Sequence, residues 1–175
     1  MELIDELRNK QIVLIVFPKA RYVQEINNVI RAVYTTSNRI CYVCLNKPYQ
    51  SIINNLKASG LPTEKYFFID VLTSTVKTPE AVDNCEFVES PSAITDLGMA
   101  FTKAIQEKGC DNALFDTIST LAIYHDIGEI IKFTQNLMTK ARVHNIKSVY
   151  IALKEDSEEL VKDLTMFVDG VVELS

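Results

Sequence analysis

QIVLIVFPKARYVQEINNVIRAV, residues Gln11 to Val33, opens on an uninterrupted apolar run, Ile12 to Phe17. Such a run is the mark of a strand buried on both faces. At Pro18 the pattern turns to helical spacing. In nucleotide-binding α/β proteins the first strand usually meets a glycine-rich loop at this point, and the loop holds phosphates. Here the connection reads Pro18-Lys19-Ala20-Arg21, without a glycine.

Outward from this unit the alternation repeats. Candidate strands are Ile12–Phe17, Ile40–Leu45, Tyr66–Val71, Ala113–Asp116, Ser148–Leu153 and Val168–Leu174. Candidate helices lie between them at about 20–36, 49–59, 92–108, 126–145 and 156–166. Strands alternating with helices of that length predict βαβ units: a three-layer α/β fold with a mostly parallel central sheet flanked by helices. In 126–145 the apolar residues Ile127, Ile130, Ile131, Leu137, Met138 and Ala141 recur at helical spacing, with Asp126 at the start. Arg142 and His144 stand where the helix dipole favours cations. The segment ESPSAITDLGMAFTKAIQEKGC begins with Ser and Pro and stops at Gly109, an N-cap and C-cap signature. Val71 to Cys85 reads as a long surface excursion, either a functional loop or a solvated connection. Residues 1–10 carry Leu3, Ile4 and Leu7 on one side, a short amphipathic helix that docks on the body or on a partner.

The length of 175 residues predicts one domain spanning 1–175. A net charge of −5 opposes non-specific binding to nucleic acid or to an anionic membrane. No apolar run approaches the roughly 20 residues of a membrane helix, and the N-terminus MELIDELRNK has no signal-peptide pattern. The expected location is cytoplasmic. Four cysteines are too few for a disulfide scaffold of this size. Cys41 and Cys44 form a C-x-x-C, but within a strand these positions face opposite ways, so both are read as core. His125 and His144 leave too few ligands for a zinc site.

From Ile40 onward the chain resembles the archaeal KaiC-like branch of the RecA-like P-loop ATPases. The resemblance runs through ICYVCLNKPYQSIINNLKASGL, YFFIDVLTS, VESPSAITDLGMAFTKAIQEKGCDNALFDTISTLAIYHD and FVDGVVEL, in the family's order. It implies a RecA/KaiC-like core, with Asp116 aligned to the Walker B carboxylate that holds magnesium through water. The departures from the family concern its reaction centre. A phosphate loop of the form G-x-x-x-x-G-K-[ST] is absent, since none of the five glycines precedes Lys-Ser or Lys-Thr. The glutamate pair of active relatives, one of which polarises the attacking water, aligns with Asn46–Lys47. The sequence ends at Ser175, just past DGVVEL, where relatives continue into strands whose basic residues reach a neighbouring nucleotide. If the sequence is whole, that element is missing too.

These losses point to a non-catalytic relative acting as a regulatory or protein-interaction module. A protein partner or further copies of the chain are expected, and no cofactor. The alternative is a nucleotide- or anion-binding protein or enzyme, weak Mg-nucleotide binding included, with a non-standard site at the C-terminal ends of the strands. Residues available there are Lys19, Arg21, Asn46, Lys47, Asp70, Thr73, Asp116 and Ser119. Lys19 and Arg21, beside a helix start, read either as solvated charges or as an anion site. Asp116, followed by Thr117, Ser119 and Thr120, reads as organising the next turn through side-chain to backbone hydrogen bonds. His125–Asp126 reads as a loop histidine at a helix start. A phosphoacceptor domain would need paired acids after the first strand, where Phe17-Pro18-Lys19 stands. No aromatic-basic interleaving marks a nucleic-acid surface.

Overall fold

The computed structural model describes residues 2–155 and 158–175. Its seven strands are β1 (Ile12–Phe17), β2 (Ile40–Cys44), β3 (Tyr66–Asp70), β4 (Cys85–Phe87), β5 (Asn112–Asp116), β6 (Lys147–Leu153) and β7 (Gly170–Glu173). They form one sheet in the order β4-β3-β2-β5-β6-β1-β7. Every neighbouring pair is parallel.

Among the described residues the helices are α1 (Glu2–Asn9), α2 (Tyr22–Thr35), α3 (Tyr49–Ala58), α4 (Ile94–Glu107), α5 (Ile127–Val143) and α6 (Glu158–Leu164). The three-layer α/β expectation therefore holds. Side-chain alternation along the strands divides the core into two halves. Val13, Ile15, Phe17, Tyr42 and Cys44 pack under α1, α2 and α3. Ile12, Leu14, Val16, Cys41 and Val43 pack under α4, α5 and α6. Cys41 and Cys44 thus lie on opposite faces, both buried and free, as their spacing predicts.

Helix ends follow local chemistry. Asp126 and Glu129 form a capping box at the start of α5. Asn145 turns left-handed beyond α5, with φ 55°, while the Ile146 N–H reaches the Ala141 carbonyl at 2.9 Å. Gly109 takes the same conformation after α4, with φ 71°. The N-cap reading of α4 needs correction. The helix begins at Ile94 behind Ala93, without a side-chain cap. The Ser90 hydroxyl instead accepts the Ser92 N–H at 3.2 Å, closing a turn before the helix.

The excursion from Val71 carries a 3₁₀ turn at Thr73–Thr75 and ends in β4, which sequence reading missed. Three residues with Glu86 at their centre give too short an alternation to register. Of the predicted helix 156–166, residues 156–157 lie outside the described residues; α6 covers Glu158–Leu164. The amphipathic N-terminal segment docks on the body. Leu7 is buried, Leu3 and Ile4 pack beside it, and the Lys147 ammonium donates to the Leu7 and Arg8 carbonyls at 2.7 and 2.8 Å. Among the described residues, no helix is long and apolar enough to cross a membrane.

Candidate functional site

β1, β2, β5 and β6 end side by side at one rim of the sheet. After Phe17 the chain bends through Pro18 into a 3₁₀ turn, Lys19–Arg21, and enters α2 at Tyr22. The connection is short, and α2 starts close over the strand ends. The Tyr22 ring packs against Phe17 with centroids 6.1 Å apart.

The Tyr22 phenol reaches Asp116, at the end of β5. It donates to both carboxylate oxygens, each at 2.7 Å. The Tyr42 hydroxyl, from the middle of β2, donates to Oδ2 at 2.6 Å. Both oxygens are engaged, and Asp116 is 1% exposed. Burial pushes the Asp116 carboxyl above its ordinary range; the hydrogen bonds from Tyr42 and Tyr22 offset this only in part. Burial also raises both phenols, and the Asp116 charge raises them further, so they remain donors.

The expectation that Asp116 organises the next turn with its side chain is thus corrected. Its carboxylate receives phenols and, among the described residues, no backbone N–H. The hydroxyls after it shape the turn: Thr117 and Thr120 pair at 2.8 Å, and Ser119 accepts the Leu153 N–H at 2.9 Å. The Asp116–Thr117 peptide is cis. Turn organisation by a carboxylate occurs instead at Asp70, where β3 ends. Asp70 accepts the N–H groups of Tyr49, Leu72 and Thr73 at 2.9, 2.7 and 2.9 Å, and the Thr73 hydroxyl at 2.6 Å.

The other candidates separate into groups. Lys19, Asn46 and Ser119 line one cavity of about 360 Å³ with Thr120, Ile123 and Leu153. The Lys19 amide donates to the Glu155 carboxylate at 2.8 Å. Arg21 is not among its lining residues; it pairs with Glu25 at 2.5 Å and donates to the Ser175 carbonyl. Lys47 lies 5.6 Å from the centroid of the Tyr22 ring. Asp116 lies outside the cavity lining. His125 bonds the Pro91 carbonyl through Nε2 at 3.0 Å, tying the β5–α5 loop to the segment before α4. Among the described residues, no cluster of three or more His, Cys, Asp or Glu could hold a metal ion.

Tyr22 and Tyr42 escaped sequence reading. They lie 94 and 74 positions from Asp116, and only the sheet order brings them together. Their sole trace was the aromatic character of a helix start and of a strand centre.

An all-parallel sheet in this order, with helices on both faces, defines a three-layer α/β domain whose fold resembles KaiC-like and RecA-like structures. Over residues 28–174 the sequence matches the family described as "Family of unknown function (DUF7504)", and the chain belongs to it. No curated protein matches the sequence. Among solved structures, the fold is similar to a KaiC-like protein from the hyperthermophilic archaeon Pyrococcus horikoshii OT3. That likeness has a TM-score of 0.69 at 13% identity and covers 94% of this chain and 72% of that one. It is also similar to a prototypical ATPase from the type III secretion system of pathogenic bacteria, with a TM-score of 0.58 at 12% identity. The alignment covers 94% of this chain and 51% of the ATPase, so this chain spans about half its length. At such identities the likeness is one of fold.

Proposed function

We propose that this chain is a non-catalytic RecA/KaiC-like domain, acting as a regulatory or protein-interaction module without ATP hydrolysis. The observation that carries this reading is the closure of Asp116, whose two oxygens are both taken by phenols at 1% exposure. A magnesium-bound triphosphate does not fit the residues present. Magnesium dehydrates reluctantly and is held by carboxylates together with phosphates. Reaching the buried Asp116 carboxylate would require displacing the Tyr22 and Tyr42 hydroxyls from it. Pro18 has no N–H to offer a phosphate, and Asn46–Lys47 supplies no carboxylate to polarise water.

The partner in this reading is a protein, either a catalytic relative or another copy of the chain. Purified protein should release no phosphate from Mg-ATP above the rate of a boiled control. Robust turnover would overturn the proposal.

A second reading has its own observation: the cavity that gathers Lys19, Asn46 and Ser119. An anion or nucleotide bound there would raise the melting temperature. At a hundredfold excess over Kd the folded state gains about 2.7 kcal/mol, a shift of several degrees at roughly 2–4 °C per kcal/mol. Thermal unfolding with millimolar Mg-ATP, ADP and GTP separates the two readings. A shift that Lys19→Ala abolishes, without loss of basal stability, would favour the anion site. No shift with any of the three leaves the interaction module.

A further inference from the structure

α4 leads into β5 and α5 into β6, neighbouring parallel strands, and both helices pack on the same face of the sheet. They therefore run side by side in the same direction. Between them, on the side turned to solvent, lies a cleft of about 450 Å³. Met99 of α4 lines it at 64% exposure, and Phe133 of α5 lines it half-buried. Gly98 keeps the floor low. A methyl group at that position would stand 3.4 Å from the Lys140 ammonium and 3.7 Å from the Phe133 ring.

The cleft holds one charge of each sign at its two ends. The Lys140 ammonium donates to the Gly98 carbonyl at 3.1 Å, and burial lowers its pKa. Among the described residues no carboxylate pairs with it. A partly desolvated ammonium on a neutral carbonyl gains from an incoming carboxylate. Glu129 stands at the other end with its side chain 53% exposed. One of its oxygens accepts the Asp126 N–H at 3.4 Å, and the other lies 3.7 Å from His125 Nδ1.

A single rotation makes this face fit itself. In antiparallel contact between a helix and its own copy, residues pair about a fixed midpoint. A two-fold axis crossing α5 between Thr134 and Gln135 sets Glu129 against Lys140 of the second copy, and Phe133 against Asn136. Gly98, level with the middle of the span from Phe133 to Lys140, lies about 3 Å past that axis at 1.5 Å per residue. The axis therefore crosses α4 close to the Asp96–Leu97 peptide. There it sets Met99 against Ile94 and leaves Gly98 facing Thr95. Acid meets ammonium, apolar meets apolar, and the glycine makes room for the threonine.

We propose that the α4–α5 face is an isologous interface with a second copy of this chain. α5 has 17 residues, so two helices abreast offer a face of about 25 by 20 Å, roughly 1,000 Å² over both copies. That is the size of a weak, transient interface, with a Kd on the order of 10 µM. The inference supplies a partner for the interaction module proposed above. An active ATPase that dimerised through this face would overturn that reading and leave this one standing.

The test is sedimentation velocity of the full chain from about 1 to about 300 µM, a range that brackets this Kd. The expected result is a passage from monomer to dimer. Met99→Asp should keep the chain monomeric throughout and leave its unfolding midpoint unchanged, because Met99 is exposed. Glu129→Gln retains the capping box, in which glutamine also serves, and should weaken the dimer about threefold to tenfold. Lys140→Gln should weaken it similarly. Since the two side chains meet across the axis, the double variant should be no weaker than either single one. A chain monomeric at the highest concentration would overturn the proposal, as would an assembly that Met99→Asp leaves intact. Additive losses in the double variant would overturn it too.

Discussion

Asp70 and Asp116 occupy equivalent places. Each ends a strand, each is buried, and each pairs in register with the same residue, Cys44 of β2, one from either side. Their surroundings nonetheless differ in kind. Asp70 collects three backbone N–H groups and a hydroxyl, all but one from the turn that follows it. Asp116 collects two phenols from distant elements and, among the described residues, no backbone donor. A buried carboxylate can thus be satisfied locally, as part of the turn that ends its strand, or by side chains that close over it. The first is a structural joint. The second closes the carboxylate off from solvent.

The largest effect should come from breaking the joint. Asp70→Ala leaves the N–H groups of Tyr49, Leu72 and Thr73 without their acceptor, and should cost about 3–5 kcal/mol in urea unfolding. A loss below about 1 kcal/mol would mean that the turn and the start of α3 hold without it. Next come the phenols. Tyr42→Phe removes a fully buried donor and should cost about 1.5–3 kcal/mol, the range for a hydrogen bond to a charged group. Tyr22→Phe should cost less, because Tyr22 is only half-buried and water can replace its hydroxyl. If Tyr22→Phe proved the costlier, the closure of Asp116 would rest on the helix start and not on the strand.

Most of the fold was legible because its signals are short-range. Continuous apolar runs mark β1, β2 and β3, Asp126 marks the start of α5, and Gly109 marks the end of α4. What escaped was β4, whose three residues carry a charge at the centre, and the unaided start of α4 at Ile94. The site was legible by half. Sequence reading placed Lys19, Asn46 and Ser119 at one rim and gave the right chemistry for a strand-end aspartate. It assigned that chemistry to Asp116, where Asp70 performs it. Nothing local distinguishes the two, since Asp70 is followed by Val71-Leu72-Thr73 and Asp116 by Thr117-Ile118-Ser119. The deciding contacts come from Tyr22 and Tyr42, and those exist only once β5 lies beside β2.

The smallest effect sharpens the comparison most, because it reads the charge on Asp116 directly. Burial raises this carboxyl above its unfolded value in spite of the two phenols. A carboxyl with a raised folded pKa binds its proton more tightly in the folded chain. Its favourable contribution is then complete below about pH 4, the ordinary aspartate value, and is lost as pH rises through the folded value. Asp116→Asn keeps the shape, accepts from one phenol through its carbonyl and has no proton to lose. The stability of Asp116→Asn relative to the wild type should therefore climb as pH rises from about 4 and level off above the folded pKa. Urea unfolding of both proteins across that range would show it. A difference that stays flat, or falls with rising pH, would mean that the phenols outweigh burial and hold a stable carboxylate. Asp116 would then be a closed but charged site, which the loss of Tyr22 could reopen to a cation.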